Sequence, residues 1–281
     1  YEYYHDFENY LLIGTDATGN NKNGADYQGS MADFLMLVIV DKTENTYSFL
    51  QFNRDTMTEV ALIDHNGEGE ATANIQLCTA HWYGGNREQS CENTVKSVKK
   101  LLGGIQIDGY YELNMNEIPK LNSMVDGVTV TLEDDFSKKY PKMKKGATIN
   151  LDDEQAYAYV HDRYGVGDEE NASRMKRQQQ YMTGFFKKLQ EKVKANPNYA
   201  NEVFESLQDV STTDITIGKI SNISNIFASG TDKGIFQLAG KSKIGQALGD
   251  EMDHMEFYVN KKAMVSTMSE LFGIVEQKNK E

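Results

Sequence analysis

Three near-continuous apolar runs, residues 10–13, 34–40 and 47–52, constrain most strongly what this 281-residue chain can become. They are too short for buried helices and too uniformly apolar for strands with one wet face, so they read as strands covered on both sides. The polar stretch 41–45 is a turn between the second and third, which makes those two neighbours. Helical spacing then alternates with further strand signals. Asn93 or Thr94 caps a helix reaching Leu102, another covers 116–124, and a strand follows at 127–132. Asn150 or Asp152 starts a helix through Val160, and a long amphipathic helix runs from about Ser173 to Val193. Beyond Asn196-Pro197-Asn198 come a strand at 215–217, a helix near 220–227, a strand at 255–259 and a helix near 263–272. This order predicts an α/β fold, an α-β-α sandwich whose central mixed sheet is covered by helices on both faces. No composition shift or linker divides residues 1–281, which read as one domain.

Arginine is used sparingly. Of 29 basic residues only five are arginine, and Arg163, Arg174 and Arg177 fall within 15 positions. A planar guanidinium matches the oxygens of phosphate or carboxylate two at a time, which lysine does not. Cations at the start of the long helix oppose the positive end of its dipole, and an anion docked there resolves the conflict. The cluster therefore reads as the floor of a phosphate or pyrophosphate pocket. The plainer alternative is a solvated basic turn paired with Asp168, Glu169 and Glu170.

Net charge of −13 argues against nucleic-acid binding, which needs a basic footprint. Sixteen tyrosines and twelve methionines beside three prolines suit long regular elements and either ordinary core filling or an adaptable apolar cavity. No run approaches the ~18 to 20 apolar residues of a membrane span. The short lead before the first strand raises the expectation of an ectodomain whose N-terminal membrane anchor is missing. Cys78 and Cys91, the only cysteines, bracket the turn-like 83–86. A disulfide there would point to an extracytoplasmic setting, while two buried free thiols are the other reading.

Asp16 ends the first apolar run and Asp33 opens the second, so both carboxylates can reach one crevice. With phosphate oxygens and water they would suit Mg²⁺, which prefers oxygen ligands; each could instead be a strand-end turn residue. Arg54, in Asn53-Arg54-Asp55-Thr56 after the third run, can enter the same crevice with Asp55 holding its guanidinium. No Walker, dinucleotide or nucleophile-elbow pattern is present, and no histidine completes a triad.

Taken in order, Ile13-Gly14-Thr15-Asp16, Ala32-Asp33, Asn53-Arg54-Asp55-Thr56, Val125-Asp126-Gly127-Val128-Thr129-Val130, Gln155-Ala156-Tyr157-Ala158-Tyr159-Val160 and Arg174-Met175-Lys176-Arg177-Gln178-Gln179 resemble the LytR-CpsA-Psr family. The resemblance spans most of residues 10–190. It implies a membrane-anchored protein at the extracytoplasmic face of the bacterial envelope. Such a protein transfers a glycopolymer from a polyprenyl-pyrophosphate carrier to peptidoglycan, with Mg²⁺ (or Mn²⁺) at the pyrophosphate and the lipid tail in an apolar cavity. By the same resemblance Asp16 and Asp33 are metal-associated, and Arg54 and Asp33 are catalytic. Arg54, Arg163, Arg174, Arg177 and Gln178 bind pyrophosphate, and Asp16, Asp33 or Asp55 could deprotonate the acceptor hydroxyl. The chain departs from the family pattern at Met31 and His161, where arginines are usual, and at Asn171, where an acid is usual. Those departures favour an alternative, a non-catalytic polyprenyl-phosphate or cell-wall binding module of the same fold. A third reading is a pyrophosphate hydrolase with water as acceptor.

Overall fold

In a computed structural model that describes residues 5–16, 27–69 and 71–273, the three apolar runs are β1 (Phe7–Thr15), β2 (Ala32–Asp41) and β3 (Thr46–Gln51). A small hairpin, β4 (Met57–Ala61) and β5 (Thr72–Gln76), precedes helix α1 (Arg87–Leu101). Strand β6 (Gly109–Asn114) leads to α2 (Ile118–Met124), and a second hairpin, β7 (Val128–Thr131) and β8 (Thr148–Leu151), to α3 (Asp153–His161). The long α4 (Asn171–Ala195) and short α5 (Tyr199–Ser206) precede β9 (Ser211–Thr213), α6 (Ile217–Ser229) and β10 (Thr231–Gln237). A third hairpin, β11 (Gly240–Gly245) and β12 (His254–Val259), and α7 (Lys261–Phe272) follow.

The central sheet has six strands in the order β10-β3-β2-β1-β6-β9. It is mixed: β1 runs parallel to β6 and β3 to β10, while the other pairs are antiparallel. Strand period two sorts the apolar runs onto opposite faces. Leu35, Leu37 and Ile39 of β2 pack with Cys91 and Val98 of α1 and Met268, Leu271 and Phe272 of α7. Phe34, Met36 and Val38, the alternate residues, pack with Phe49, Phe186 and Phe227. This is the expected sandwich, helices on both faces of a mixed sheet.

Three expectations shift. Helix α1 begins at Arg87, before Asn93, because the Asn86 side chain accepts from Gln89 N and caps the first turn. The strand read at 127–132 pairs with β8 in a separate hairpin and never enters the main sheet. The strand read at 215–217 lies earlier, at β9, and Thr216 caps α6 instead. Helix α3 is capped by Asp152 with a reciprocal Gln155 capping box, one of the two anticipated caps.

Helix α4 lies against β7 through a glycine. A methyl at Gly184 would meet Val128 Cγ1 at 2.6 Å, and Val128 is fully buried. Propensity alone would favour Gly184→Ala by about 1 kcal/mol. The clash outweighs it, so the substitution is expected to lower stability by about 1–3 kcal/mol, read as a drop in the urea midpoint. A higher midpoint would contradict this packing.

Candidate functional site

The carboxyl end of β1 and the start of β2 lie side by side, with Thr15 opposite Ala32 after a register shift. Asp16 and Asp33 therefore sit at the same end of two central strands. Asp33 is nearly buried, yet both its oxygens face guanidinium groups: Oδ1 lies 2.5 Å from Arg54 Nη1 and Oδ2 3.5 Å from Arg174 Nη1.

Arg54 comes from the turn that follows β3. Asn53 Oδ1 accepts from Asp55 N at 2.9 Å, Asn53 O from Thr56 N at 3.0 Å, and Arg54 O from Cys78 N at 2.9 Å, which fixes its backbone. Its Nη2 lies 3.1 Å from Met31 Sδ and 3.2 Å from Cys78 Sγ, two weak acceptors. Its Nε is 3.7 Å from Asp55 Oδ1, too far for a hydrogen bond. Arg174 projects from the first turn of α4. Asn171 closes the ring: its Oδ1 accepts from Arg174 Nη2 at 2.9 Å, and its Nδ2 donates to Asn53 Oδ1 at 3.2 Å and approaches Asp55 Oδ2 at 3.5 Å. An amide is suited here because it accepts from a cation and donates to acceptors at once.

Burial holds the Asp55 carboxyl above its ordinary value, although Arg54, Arg174 and Arg163 all pull it down. Burial likewise lowers Arg174 from the usual guanidinium value against the attraction of Asp33. The Nε atoms of Arg54 and Arg174 are buried without a hydrogen-bond partner. Two guanidinium groups thus share the Asp33 carboxylate beside Asp55, and with the charge of Arg163 reaching the same groups the arrangement favours a further anion. At the rim, His161 Nε2 lies 3.5 Å from Asp16 Oδ1. Hydrogen bonding to Asp162 raises the His161 pKa against burial, with Asp16 adding to the effect, so the imidazolium is favoured.

The remaining expected residues divide. Arg163, half-buried, stacks on its neighbour Tyr164, and its charge is felt at Asp55 and Arg174. Arg177 is 1% exposed, and its donors are committed elsewhere: Nε to Tyr159 O at 2.9 Å, Nη1 to Asp134 at 2.5 Å, and Nη2 to Asp162 O. It ties α4 to the end of α3. Gln178 donates to Val160 O at 3.1 Å and accepts from Gln51 at 3.1 Å. The plainer reading of the basic cluster does not hold for Arg174 and Arg177, since Asp168 engages Ser173 and Glu170 N while Glu169 engages Gly165 N.

Of the two readings of the cysteines, the disulfide is corrected: Cys78 and Cys91 are both free and buried. Since α1 starts at Arg87, Cys91 belongs to a helix face in the core and lies 3.7 Å from His81 Nε2, whereas Cys78 faces Arg54. Burial pushes both thiols up, so neither is a ready thiolate. Asn53, Asn171 and Cys78 were not identified as parts of the guanidinium ring from sequence. The signal for the first two is a pair of amides adjacent to charged motif residues; for Cys78 there is none.

Next to this ring, between the sheet and helices α4 and α6, is an apolar cavity of about 310 Å³. Leu12, Phe34 and Phe49 line it from the sheet, Met182 and Phe186 from α4, and Phe227 from α6. Gln178, one turn beyond Arg174, lines it too, as does Phe34, next to Asp33, so the greasy space comes within a turn of helix of the charged ring.

The model of the LytR_cpsA_psr family matches residues 2–272. The chain belongs to this family. Among LytR-CpsA-Psr relatives, a Bacillus cereus protein named polyisoprenyl-teichoic acid–peptidoglycan teichoic acid transferase TagU is 29% identical over 178 residues, 63% of this chain and 51% of the relative. Biofilm regulatory protein A of Streptococcus mutans is 26% identical over 186 residues, 64% of this chain and 43% of that one. The aligned part therefore spans about half the length of the curated relatives it matches. Among solved structures, protein gbs0355 of Streptococcus agalactiae superposes with a TM-score of 0.75 at 20% identity, covering 97% of this chain and 90% of that one. TagV of Bacillus subtilis gives 0.69 at 20% identity, with 97% and 99% covered. TagT bound to LI-WTA gives 0.68 at 21% identity, with 96% and 92% covered. These likenesses establish the LytR-CpsA-Psr fold.

Two measurements check this geometry. Thiol titration should find no reactive cysteine in the native protein and two after denaturation, with or without prior reduction; fewer than two without reductant would restore the disulfide. Arg177→Met should cost about 3–5 kcal/mol of stability, the size of breaking a buried ion pair, while farnesyl diphosphate affinity of the folded fraction stays within about twofold, roughly 0.4 kcal/mol. A large affinity loss with unchanged stability would return Arg177 to the ligand site.

Proposed function

We propose that this protein transfers a glycopolymer from a polyprenyl-pyrophosphate carrier to peptidoglycan at the extracytoplasmic face of the bacterial membrane. The observation that carries this reading is an apolar cavity, lined by Phe34 and Gln178, that comes close to the ring built on Asp33, Arg54 and Arg174. Few ligands combine a long hydrocarbon with a dense anion, and a polyprenyl diphosphate is one. The relatives named as teichoic acid transferases support the same assignment.

On this reading the acceptor hydroxyl attacks the sugar-bearing phosphorus. The new O–P bond forms as the bridging P–O bond breaks, and polyprenyl phosphate leaves with its charge. Arg54 and Arg174, held in place by Asp33 and Asn171, stabilise the charge that grows on the phosphoryl oxygens and bridge. Because they are positioned beforehand, no reorganisation is spent at the moment of reaction. Arg163 adds positive charge from the rim. Asp55, whose carboxyl is held above its ordinary value, is a suitable acceptor for the hydroxyl proton.

Among the described residues there is no cluster of three or more histidine, cysteine or acidic groups that could cage a metal. Asp16 and Asp33 offer the hard oxygens of an ion that takes one or two carboxylates and completes its shell with phosphate and water. They would hold Mg²⁺ through the lone pairs that their contacts with Arg54, Arg174 and His161 leave open, and when bound it would neutralise charge on the diphosphate. Among the described residues no helix is long and apolar enough to cross a membrane, so an anchor would be supplied by other residues.

Arg54→Ala is expected to lower the rate of transfer from a farnesyl-diphosphate-linked saccharide to peptidoglycan oligomers by about 10²–10³-fold, the usual size of one lost charge-stabilising donor, with the circular dichroism spectrum unchanged. An unchanged rate rejects the role of Arg54. Tight binding by the wild type without any turnover would favour the non-catalytic module, and release of glycan phosphate without acceptor would favour the hydrolase.

A further inference from the structure

Tyr164 is the most exposed large hydrophobic side chain among the described residues, with 76% of its surface open to solvent. Single exposed aromatics are ordinary on protein surfaces, but the setting of this one is not. Its loop, residues 162–170, begins and ends at the guanidinium ring. His161, just before it, touches Asp16, and Asn171, just after it, touches Asn53, Asp55 and Arg174. Tyr164 lies three positions after His161, a reach of about 10 Å at most.

The loop is also pinned. Asp162 O accepts from buried Arg177, Val166 is sunk in the core, Val166 N donates to Arg163 O at 3.4 Å, and Gly165 N donates to Glu169 Oε1 at 2.7 Å. The ring itself is held by Arg163, whose Cζ lies 4.6 Å from the ring centroid and whose Nη2 donates to the tyrosine hydroxyl. A guanidinium therefore covers one face of an aromatic that the fold keeps in solvent. Stacking costs an amphipathic ring little freedom, and the open face carries the negative side of its quadrupole.

We infer that Tyr164, backed by Arg163, is a stacking platform for a pyranose ring bound beside the diphosphate site. The axial C–H groups of a sugar carry partial positive charge and lie flat on an aromatic face, while Arg163 can serve the sugar's neighbouring phosphate. The inference rests on the reading of the guanidinium ring as a diphosphate site. Both substrates of the proposed transfer carry such a ring: the first sugar on the carrier and the glycan strand of the acceptor.

Calorimetric titration of the wild type, Tyr164→Ala and Tyr164→Phe with three probes tests it: farnesyl diphosphate, farnesyl diphosphate bearing N-acetylglucosamine, and an oligosaccharide of alternating N-acetylglucosamine and N-acetylmuramic acid. Tyr164→Ala should weaken a sugar-bearing probe by about fivefold, the size of one aromatic stacking contact, and leave farnesyl diphosphate unchanged. Tyr164→Phe, which keeps the face, should bind like the wild type. Loss with the sugar-bearing diphosphate assigns the platform to the carrier's sugar, and loss with the oligosaccharide assigns it to the acceptor. If Tyr164→Ala binds both sugar-bearing probes as the wild type does, or if Tyr164→Phe loses as much as Tyr164→Ala, the platform is refuted. Should neither diphosphate bind the wild type, the diphosphate reading fails, and the oligosaccharide alone decides the platform.

Discussion

One carboxylate, that of Asp33, holds two guanidinium groups that arrive from separate parts of the chain. Each of these three charges, buried alone, would cost several kcal/mol of lost hydration, and together they offset much of that cost. The start of β2, the turn after β3 and the first turn of α4 are therefore linked, each charged side chain being held by the others. Asn171 makes the dependence directional, because its amide accepts from Arg174 and donates towards Asn53 and Asp55. Arg54 and Arg174 face Asp33 and Asp55, and the charge of Arg163 reaches the same groups, so three guanidinium groups outnumber the two carboxylates in a place water reaches poorly. The low local dielectric that makes this assembly costly also makes a bound anion strongly attracted to it.

The same tie shapes the space beside it. Arg174 fixes the start of α4 to the sheet, and Phe186 fixes it again by stacking on Phe49 with ring centroids 4.3 Å apart. Twelve residues of helix separate these ties, or about 18 Å at 1.5 Å per residue. The aromatic contacts among Phe186, Phe227 and Tyr47 add a second helix to the same wall. Large rings that brace against each other leave gaps that aliphatic side chains would fill, and the cavity lies among them. The opposite face of the sheet, packed by leucine, isoleucine and valine against α1 and α7, supplies a dense core on which this looser face can rest.

This division of labour was partly written in the residues. Uninterrupted apolar runs betray strands covered on both faces, so β1, β2 and β3 and the pairing of β2 with β3 were legible. Strands β6 and β10 were not read, since Gly109–Asn114 and Thr231–Gln237 carry too few apolar residues to stand out. Tertiary pairing with β1 and β3 makes them strands. At the site, arginine scarcity flagged Arg54 and Arg174, whose charge is used in the ring. It flagged Arg177 equally, because sequence does not reveal that Asp134 and two carbonyls, at Tyr159 and Asp162, wait for that guanidinium. Gln178 shows the same limit: its neighbours in the motif suggest a ligand contact, while Gln51, 127 positions away in the chain, takes its carbonyl oxygen. Partners supplied from far along the chain decide which motif residues stay available.

Electrostatics and apolar burial would act on different parts of the proposed carrier lipid. The chain as a whole carries a charge of −13 and would repel an anion at long range. Screening confines that repulsion to about 8 Å at physiological ionic strength, so within the crevice the local guanidinium groups prevail. Their net contribution is still limited, because both the arginines and the diphosphate must give up water. The tail has no such opposing term: each methylene taken from water contributes about 0.8 kcal/mol, so one five-carbon isoprene unit contributes about 4 kcal/mol, more than a charge-assisted hydrogen bond at about 1.5–3 kcal/mol. Affinity for a polyprenyl carrier would therefore come chiefly from the cavity. The ring of Asp33, Arg54, Arg174 and Asn171 would be left to fix where the phosphorus sits, and that placement is what a transfer reaction requires of it.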